Sequence, residues 1–378
     1  MNTLKHYQSA TKSHLYTYIN ERRGYTTNRR IIVIESDDWG SIRMPSLDVF
    51  HKMASLGLDV VGRCYNENDS LATKEDLSLL FDVLSHYKDF KGNSPKITAN
   101  ICVANPDFER IRASGFTSYF YEPFTVTLER YPNCLFDSWK EGITQSLFVP
   151  QFHGREHLNI EKWMSELQEG NPELRACFDL QTWGIRYNKQ KNHVLGEFMV
   201  NSDKSIELQK EILKDGMRLF RDIFGYTSKS FIAPCYIWNS ELNETLKQIG
   251  VDILQGGYSQ NLSKDGRITS SLYHYMGEKN NLNQVYLVRN CFFEPTQAIS
   301  MDYCLKGVEK AFKLNKPAII SAHRLNFIGA IRPKNRDNNL RQFSDLLQTI
   351  VNRWPDVEFM SSDELGMVIR NQEKRIKL

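Results

Sequence analysis

The chain has 378 residues, of which 41% are hydrophobic and 25% charged, and a formal net charge of +3. That length suits one large domain or two small ones, with ample apolar material for a buried core. So small a charge leaves no footprint for nucleic acid or an anionic membrane surface, and no run of 18 apolar residues is present to span a bilayer.

The predicted elements run as follows. Residues 4–22 are polar with spaced aromatics and predict a surface helix within an N-terminal extension, 1–29. Ile31 to Ile34 form an uninterrupted β-branched run, which predicts a strand at 30–36 buried on both faces, as in a parallel sheet. Asp37, Asp38, Trp39 and Gly40 follow at once. Adjacent acids are costly in a core unless something pairs with them. Such a pair at a strand end is expected at the C-terminal mouth of an α/β barrel. A helix cap or a turn is the alternative.

Ser46 to Ser55 predicts a helix start, and 59–72 a polar loop. Thr73 to Tyr87 predicts a helix with a Thr73–Asp76 capping box. A strand follows at 97–104, an irregular aromatic-rich stretch at 105–140, and a strand LFVPQF at 147–152 that leads into His153-Gly-Arg-Glu-His157. A helix at 159–168 precedes an aperiodic segment, 170–203, expected to be an insertion that forms a lid or rim. The second half alternates clearly. Helices are predicted at 205–224, 240–249, 301–314, 338–353 and from Ser362, and strands at 230–236, 251–257, 284–295, 317–327 and 357–360. Strand–helix alternation predicts an α/β fold with a parallel sheet closed as a barrel. One barrel domain is expected over 30–371, with a tail at 372–378.

The seven cysteines are odd in number and none has Cys-x-x-Cys spacing. This argues against a disulfide framework and against a cysteine zinc site, and it suits a reducing compartment. The first 24 residues carry no apolar core of signal-peptide length, so a cytoplasmic location is expected. Aromatics reach 12%, which suits a sugar-binding groove as well as it suits cores.

His153 and His157 are four residues apart. In one helical turn both imidazoles would project from one face. Two histidines and a carboxylate make an open site for Zn²⁺ or Fe²⁺. The pair follows an apolar run, as Asp37–Asp38 do, and as His323 follows PAIISA. Three strand ends would thus deliver metal-type or proton-transfer groups to one rim.

Asp37-Asp38, His153-x-x-x-His157 and His323 resemble the motifs of the polysaccharide deacetylases, carbohydrate esterase family 4, and the similarity spans 31 to about 363. The resemblance implies a distorted (β/α) barrel and a metal-dependent hydrolase that removes an acetyl group, N-acetyl foremost, from a sugar or polysaccharide intermediate. It implies a divalent metal, Zn first and Fe, Co or Ni otherwise, held by Asp38, His153 and His157. Asp37 would be the general base and His323 the general acid. The expected partner is a carbohydrate substrate, with no nucleic acid and no membrane span, and the oligomeric state is left open.

The sequence departs from that family in places. Its Arg-x-Pro-Tyr-like motif is FIAPCYIW here, 231–238, with no Arg before Pro234, and Arg289 is the candidate substitute for steadying the base. Glu294 and Asp363 are the candidates for tuning the acid histidine. Trp39, Tyr236, Trp238 and Arg289 are candidate substrate contacts, with packing the alternative for the aromatics. Arg332 and Arg336 would form a basic rim or a solvated loop, and Cys235 is expected to be a small buried side chain. Two other functions compete. A glycoside hydrolase needs carboxylates about 5–9 Å apart flanking the bond, which adjacent acids fit poorly. A non-catalytic glycan-binding protein could use the same barrel.

Overall fold

Nine strands make one parallel sheet in the computed structural model, which describes residues 15–185 and 193–376. They are β1 Arg30–Trp39, β2 Ile97–Ile101, β3 Phe148–Phe152, β4 Ser230–Ile232, β5 Ile253–Gly256, β6 Val285–Val288, β7 Cys291–Phe292, β8 Ala318–His323 and β9 Val357–Met360. Their order is β6-β5-β4-β3-β2-β1-β8-β7, with β9 paired to the first half of β1. The two edge strands, β6 and β7, are separated in the chain by Arg289 and Asn290 alone. The Arg289 N–H donates to Gly256 O (2.8 Å) and the Asn290 N–H to Ile319 O (3.2 Å). These two residues therefore bridge the edges and close the sheet into a ring. The ring is distorted: β3 and β4 share a single register pair, Phe152 with Phe231.

Alternation along β1 sorts its side chains. Ile31 and Val33 pack with Ile253, Val285, Leu287 and Ile319 inside the ring, and with Leu365 and Ile369 of the C-terminal helix Ser362–Ile376, which closes the lower end. Ile32 and Ile34 join the larger cluster beneath the outer helices. All four are at most 1% exposed, which explains the unbroken apolar run. Higher on the inner face the row continues with Glu35 and Asp37, so the barrel is apolar below and polar at its mouth.

The helices carry the expected caps. Ser46 Oγ accepts from Val49 N, and the Thr73–Asp76 capping box is formed. The helix at Ser205–Phe224 has its predicted bounds. Other expectations need correction. The 105–140 stretch contains three short helices, Phe108–Ala113, Phe124–Glu129 and Phe136–Thr144. A hairpin of Ser259–Lys264 with Arg267–Tyr273 was not foreseen, because its exposed, polar strands carry little apolar alternation. The last helix runs to Ile376, past the expected boundary at 371. Of the expected N-terminal helix, 15–20 is helical, while 1–14 lies outside the described residues, as does 186–192 of the insertion. No helix among the described residues is long and apolar enough to cross a membrane.

Candidate active site

The end of β1 sets the site. By strict alternation, Asp38 would turn outward toward the helices, opposite to Asp37. Instead, the pairing of β1 with β2 slips between Ser36 and Trp39, and Asp38 adopts φ +72°. A left-handed backbone at a non-glycine residue costs about 1–2 kcal/mol and marks functional strain when packing enforces it. The bulge turns both carboxylates into one cavity of about 410 Å³, also lined by His153, His157 and His323.

His153 follows β3. Its Nδ1 donates to Ile232 O at 2.9 Å, because a carbonyl can only accept; this leaves the Nε2 lone pair free. The Nε2 atoms of His153 and His157 lie 3.5 and 3.4 Å from Asp38 Oδ1. Two ligands of a tetrahedral Zn²⁺, each at about 2.0–2.2 Å, stand about 3.4 Å apart. One ligand atom from each of the three residues falls within 4.8 Å of the other two. Nε2 of His153 and Nδ1 of His157 are buried without hydrogen-bond partners among the described residues. The orphaned Nε2 of His153, with His157 Nε2 at a like distance from the same carboxylate oxygen, fits a divalent metal ion.

Burial, opposed in part by Asp38, pulls the His157 imidazole down to about 3, so it is neutral and able to ligate. For Asp38 burial works the other way, but the imidazoles and Arg43 outweigh it and hold the carboxyl below its ordinary range. His157 stacks on Trp183, with centroids 6.2 Å apart and planes at 17°. Trp183 comes from the insertion, which therefore reaches the site.

The expectation that HGREH forms a helical turn is not met: the segment is a loop. Gly154 has φ +109°, and a Cβ there would stand 2.0 Å from Glu197 Oε2. Glu197 Oε1 accepts the backbone N–H groups of Arg155 (3.2 Å) and Glu156 (3.3 Å), the loop between the two histidines. Burial, with Glu156 nearby, pushes the Glu197 carboxyl well above its ordinary range. On the other side of this loop, Arg155 pairs with Asp215 at 3.0 Å and Tyr119 donates to Glu156 at 2.9 Å.

Asp37 and His323 are poised oppositely. The Arg289 guanidinium donates to both Asp37 oxygens, at 2.7 and 2.6 Å, and through Nε to Glu35 at 2.6 Å. Asn100 adds a bond to Asp37 Oδ1 at 2.7 Å. Burial would raise the Asp37 carboxyl, but Arg289 more than offsets it and holds it far below the ordinary range. His323 Nε2 is 3.9 Å from Asp37 Oδ2, and its Nδ1 bonds Glu294 at 2.5 Å. Burial would lower the imidazole, but Glu294 and the aspartates raise it to about 9.

Of the expected substrate contacts, Tyr236 lines the cavity and the others do not. Trp39 is fully buried, edge-on to Trp139 and Phe148, with Nε1 on Ser36 Oγ; past the bulge its side chain joins the outer core. Trp238 is 2% exposed, with Nε1 on Asn243. Arg289 is fully buried and committed to Asp37 and Glu35, behind the cavity wall. Asp363 bonds Ser361, remote from His323, whose carboxylate partner is Glu294. Arg336 is buried against Asp76, and Arg332 pairs with Glu67, so neither forms a basic rim. Cys235 is exposed on the cavity wall with φ +57°, contrary to the expected burial. Sequence reasoning missed Arg43, Tyr65, Asp69 and Glu197. They lie in aperiodic segments where no spacing separates a buried charge from a solvated one.

No family model matches the chain, and no curated protein matches it. Solved structures do. A Parabacteroides distasonis protein named as a glycoside hydrolase/deacetylase aligns at TM-score 0.50 and 9% identity, over 93% of this chain and 73% of that one. A Pseudomonas aeruginosa protein named as a polysaccharide deacetylase gives 0.44 and 10%, over 92% of each. The 4-alpha-glucanotransferase of Thermococcus litoralis gives 0.44 and 10%, over 89% of this chain, which spans 40% of that enzyme's length. Further matches are named as polysaccharide or peptidoglycan deacetylases. At 9% identity the likeness to the Parabacteroides protein is one of fold alone, and it agrees with the α/β barrel expected from the sequence.

Proposed function

We propose that this protein is a metal-dependent hydrolase that removes an acetyl group, as acetate, from an N-acetylated sugar or polysaccharide intermediate. The observation that carries the reading is an acid–base pair, each member fixed by a buried partner of opposite charge, set beside a metal-type ligand set in one cavity. Arg289 donates to both oxygens of Asp37 and Glu294 bonds Nδ1 of His323, which favours the carboxylate and the imidazolium, and both groups line the cavity with Asp38, His153 and His157, where His153 Nε2 is orphaned. Asp38, His153 and His157 would hold the ion. A bound divalent ion supplies Lewis acidity toward the acetyl carbonyl and lowers the pKa of a water at the site.

The chain's own residues do the rest. Asp37 accepts the proton of the attacking water, with Arg289 and Asn100 fixing the carboxylate plane. His323 donates from Nε2 to the leaving nitrogen or oxygen, because its Nδ1 is occupied by Glu294. Asp37 is buried and His323 partly so, which limits competition from bulk water. Neither carboxylate is free to flank a glycosidic bond from the far side, since Asp37 is bound by Arg289 and Asp38 faces both histidines.

The test is metal content by mass spectrometry together with acetate release from acetylated sugars, for the parent and two variants. About one ion per chain is expected, lost in the doubly substituted His153→Ala/His157→Ala protein. Asp37→Asn should keep the ion and lose acetate release by about 10²–10⁴-fold. Full occupancy in the histidine variant, or undiminished turnover in Asp37→Asn, rejects the assignment.

A further inference from the structure

Arg43 is a cation of the cavity wall whose ion pairs, to Asp69 and Asp38, are long. It is 6% exposed, and the cavity is lined in part by its side chain. The guanidinium lies 4.5 Å from the Tyr65 ring centroid and 5.7 Å from that of Trp183. Its carbonyl accepts from Thr182 Oγ1 at 2.5 Å, and its stem passes Gly184, where a Cβ would come within 3.2 Å of Arg43 Cγ. The group is therefore held in place. Its Nε is 3.3 Å from Asp69 Oδ2 and its Nη2 is 3.8 Å from Asp38 Oδ2, yet Asp69 Oδ2 has no hydrogen-bond partner among the described residues. Asp69 is instead approached by Arg324, whose Nε and Nη2 lie 2.9 and 2.8 Å from Oδ1.

Each neighbouring cation already faces a carboxylate, and Arg289 faces two. Arg289 faces Asp37 and Glu35, His323 faces Glu294, and Arg324 faces Asp69. A divalent ion at Asp38 would more than neutralise that carboxylate. Arg43 then leaves the cavity with surplus positive charge, presented by a planar fork that aromatic rings keep from collapsing. Such a pre-organised guanidinium favours carboxylate and phosphate oxygens.

We propose that Arg43 binds an acidic group of the substrate, a carboxylate or a phosphate ester on the sugar, so that the cavity selects anionic over neutral acetylated sugars. This rests on the carbohydrate reading of the site and gives it a substrate class. Because Nη2 is 3.8 Å from Asp38 Oδ2, the acidic group belongs to the acetylated sugar or to the unit beside it.

Calorimetric titration of the metal-loaded full chain tests it. The probes are N-acetylglucosamine, its uronic acid and its 6-phosphate, against the parent, Arg43→Gln and Arg43→Lys, with metal content measured on each. At least one acid should bind about tenfold tighter than the neutral sugar, the strength of a charge-assisted pair. Which acid leads separates carboxylate from phosphate. Arg43→Gln should cut that advantage to about threefold or less, and Arg43→Lys should keep part of it. Equal or absent binding of all three sugars overturns the proposal, as does an advantage that survives Arg43→Gln. Loss of metal in Arg43→Gln overturns it too, since Arg43 would then be holding Asp38. Binding is read without turnover: acid selection through Arg43 with no acetate release refutes the hydrolase and spares this inference, and acetate release without acid selection does the reverse.

Discussion

Replacing Arg289 with methionine tests whether one buried cation holds the mouth of the barrel together. Arg289 is fully buried and makes three bonds to carboxylates, two to Asp37 and one to Glu35, beside longer bonds to Tyr236 and Ser321. Methionine fills much of the same volume, so the cavity cost is small and the electrostatic cost dominates. Removing one partner of a buried pair costs about 3–5 kcal/mol, because the remaining charges stay desolvated. The cost depends on pH, and its sign can be worked out. With Arg289 present the folded Asp37 carboxyl lies below its unfolded value, so it contributes stability above about pH 3.9 that is lost as pH falls through the folded pKa. Without Arg289, burial is the largest remaining influence and lifts the folded pKa above the unfolded one. The variant then regains stability as pH falls, by about 1.4 kcal/mol for each unit of upward shift. Urea unfolding of the metal-free protein at pH 5 and pH 8 measures both effects. Arg289→Met should lose about 3–5 kcal/mol at pH 8 and distinctly less at pH 5. A loss below about 1 kcal/mol, or an equal loss at both pH values, would refute the reasoning.

The proton state of His323 gives a second prediction. Its raised pKa of about 9 rests mainly on Glu294, so acetate release should fall on an alkaline limb at or below that value, since a dication nearby repels the imidazolium. Glu294→Gln should move the limb down by about a pH unit or more, read from the pH profile of kcat/KM; an unmoved limb argues that another group is the acid. The loop between the ligand histidines gives a third. Gly154→Ala sets a Cβ 2.0 Å from Glu197 Oε2 at φ +109°, and should weaken metal binding about 10–100-fold, the usual scale for losing outer support of a ligand. Glu197→Gln keeps an acceptor for the Arg155 and Glu156 N–H groups and matches a carboxyl whose burial favours the neutral form, so competition with a chelator should show about threefold change or less. Equal affinity in the parent and Gly154→Ala would mean that the loop is not set by this contact.

How much of this could be read in the chain depends on where the chemistry sits relative to regular structure. Asp37, Asp38 and His323 were legible because each ends a strand whose apolar run announces itself; a two-sided strand such as Ile31–Ile34 has no other stable home than a covered sheet. His153 and His157 were found through their spacing, yet for a mistaken reason, since a loop bent at Gly154, not a helical turn, brings them together. That bend sits against Glu197, 43 residues later in an aperiodic segment, and periodicity carries no information about it. Arg289 and Glu294 were visible as charged residues at the end of a strand. Their roles follow only from ring closure, which sets Arg289 across the barrel from Asp37 at 2.6 Å and Glu294 under His323. The bulge at Asp38 was invisible for a related reason. A one-residue slip leaves the apolar pattern before it unchanged, and shows itself only in the side chains it redirects, turning Asp38 inward while Trp39, which adjacency alone had placed in the site, goes to the outer core. Strand ends can thus be read for which groups reach the barrel mouth, while the partners that fix their charge must be sought across the ring.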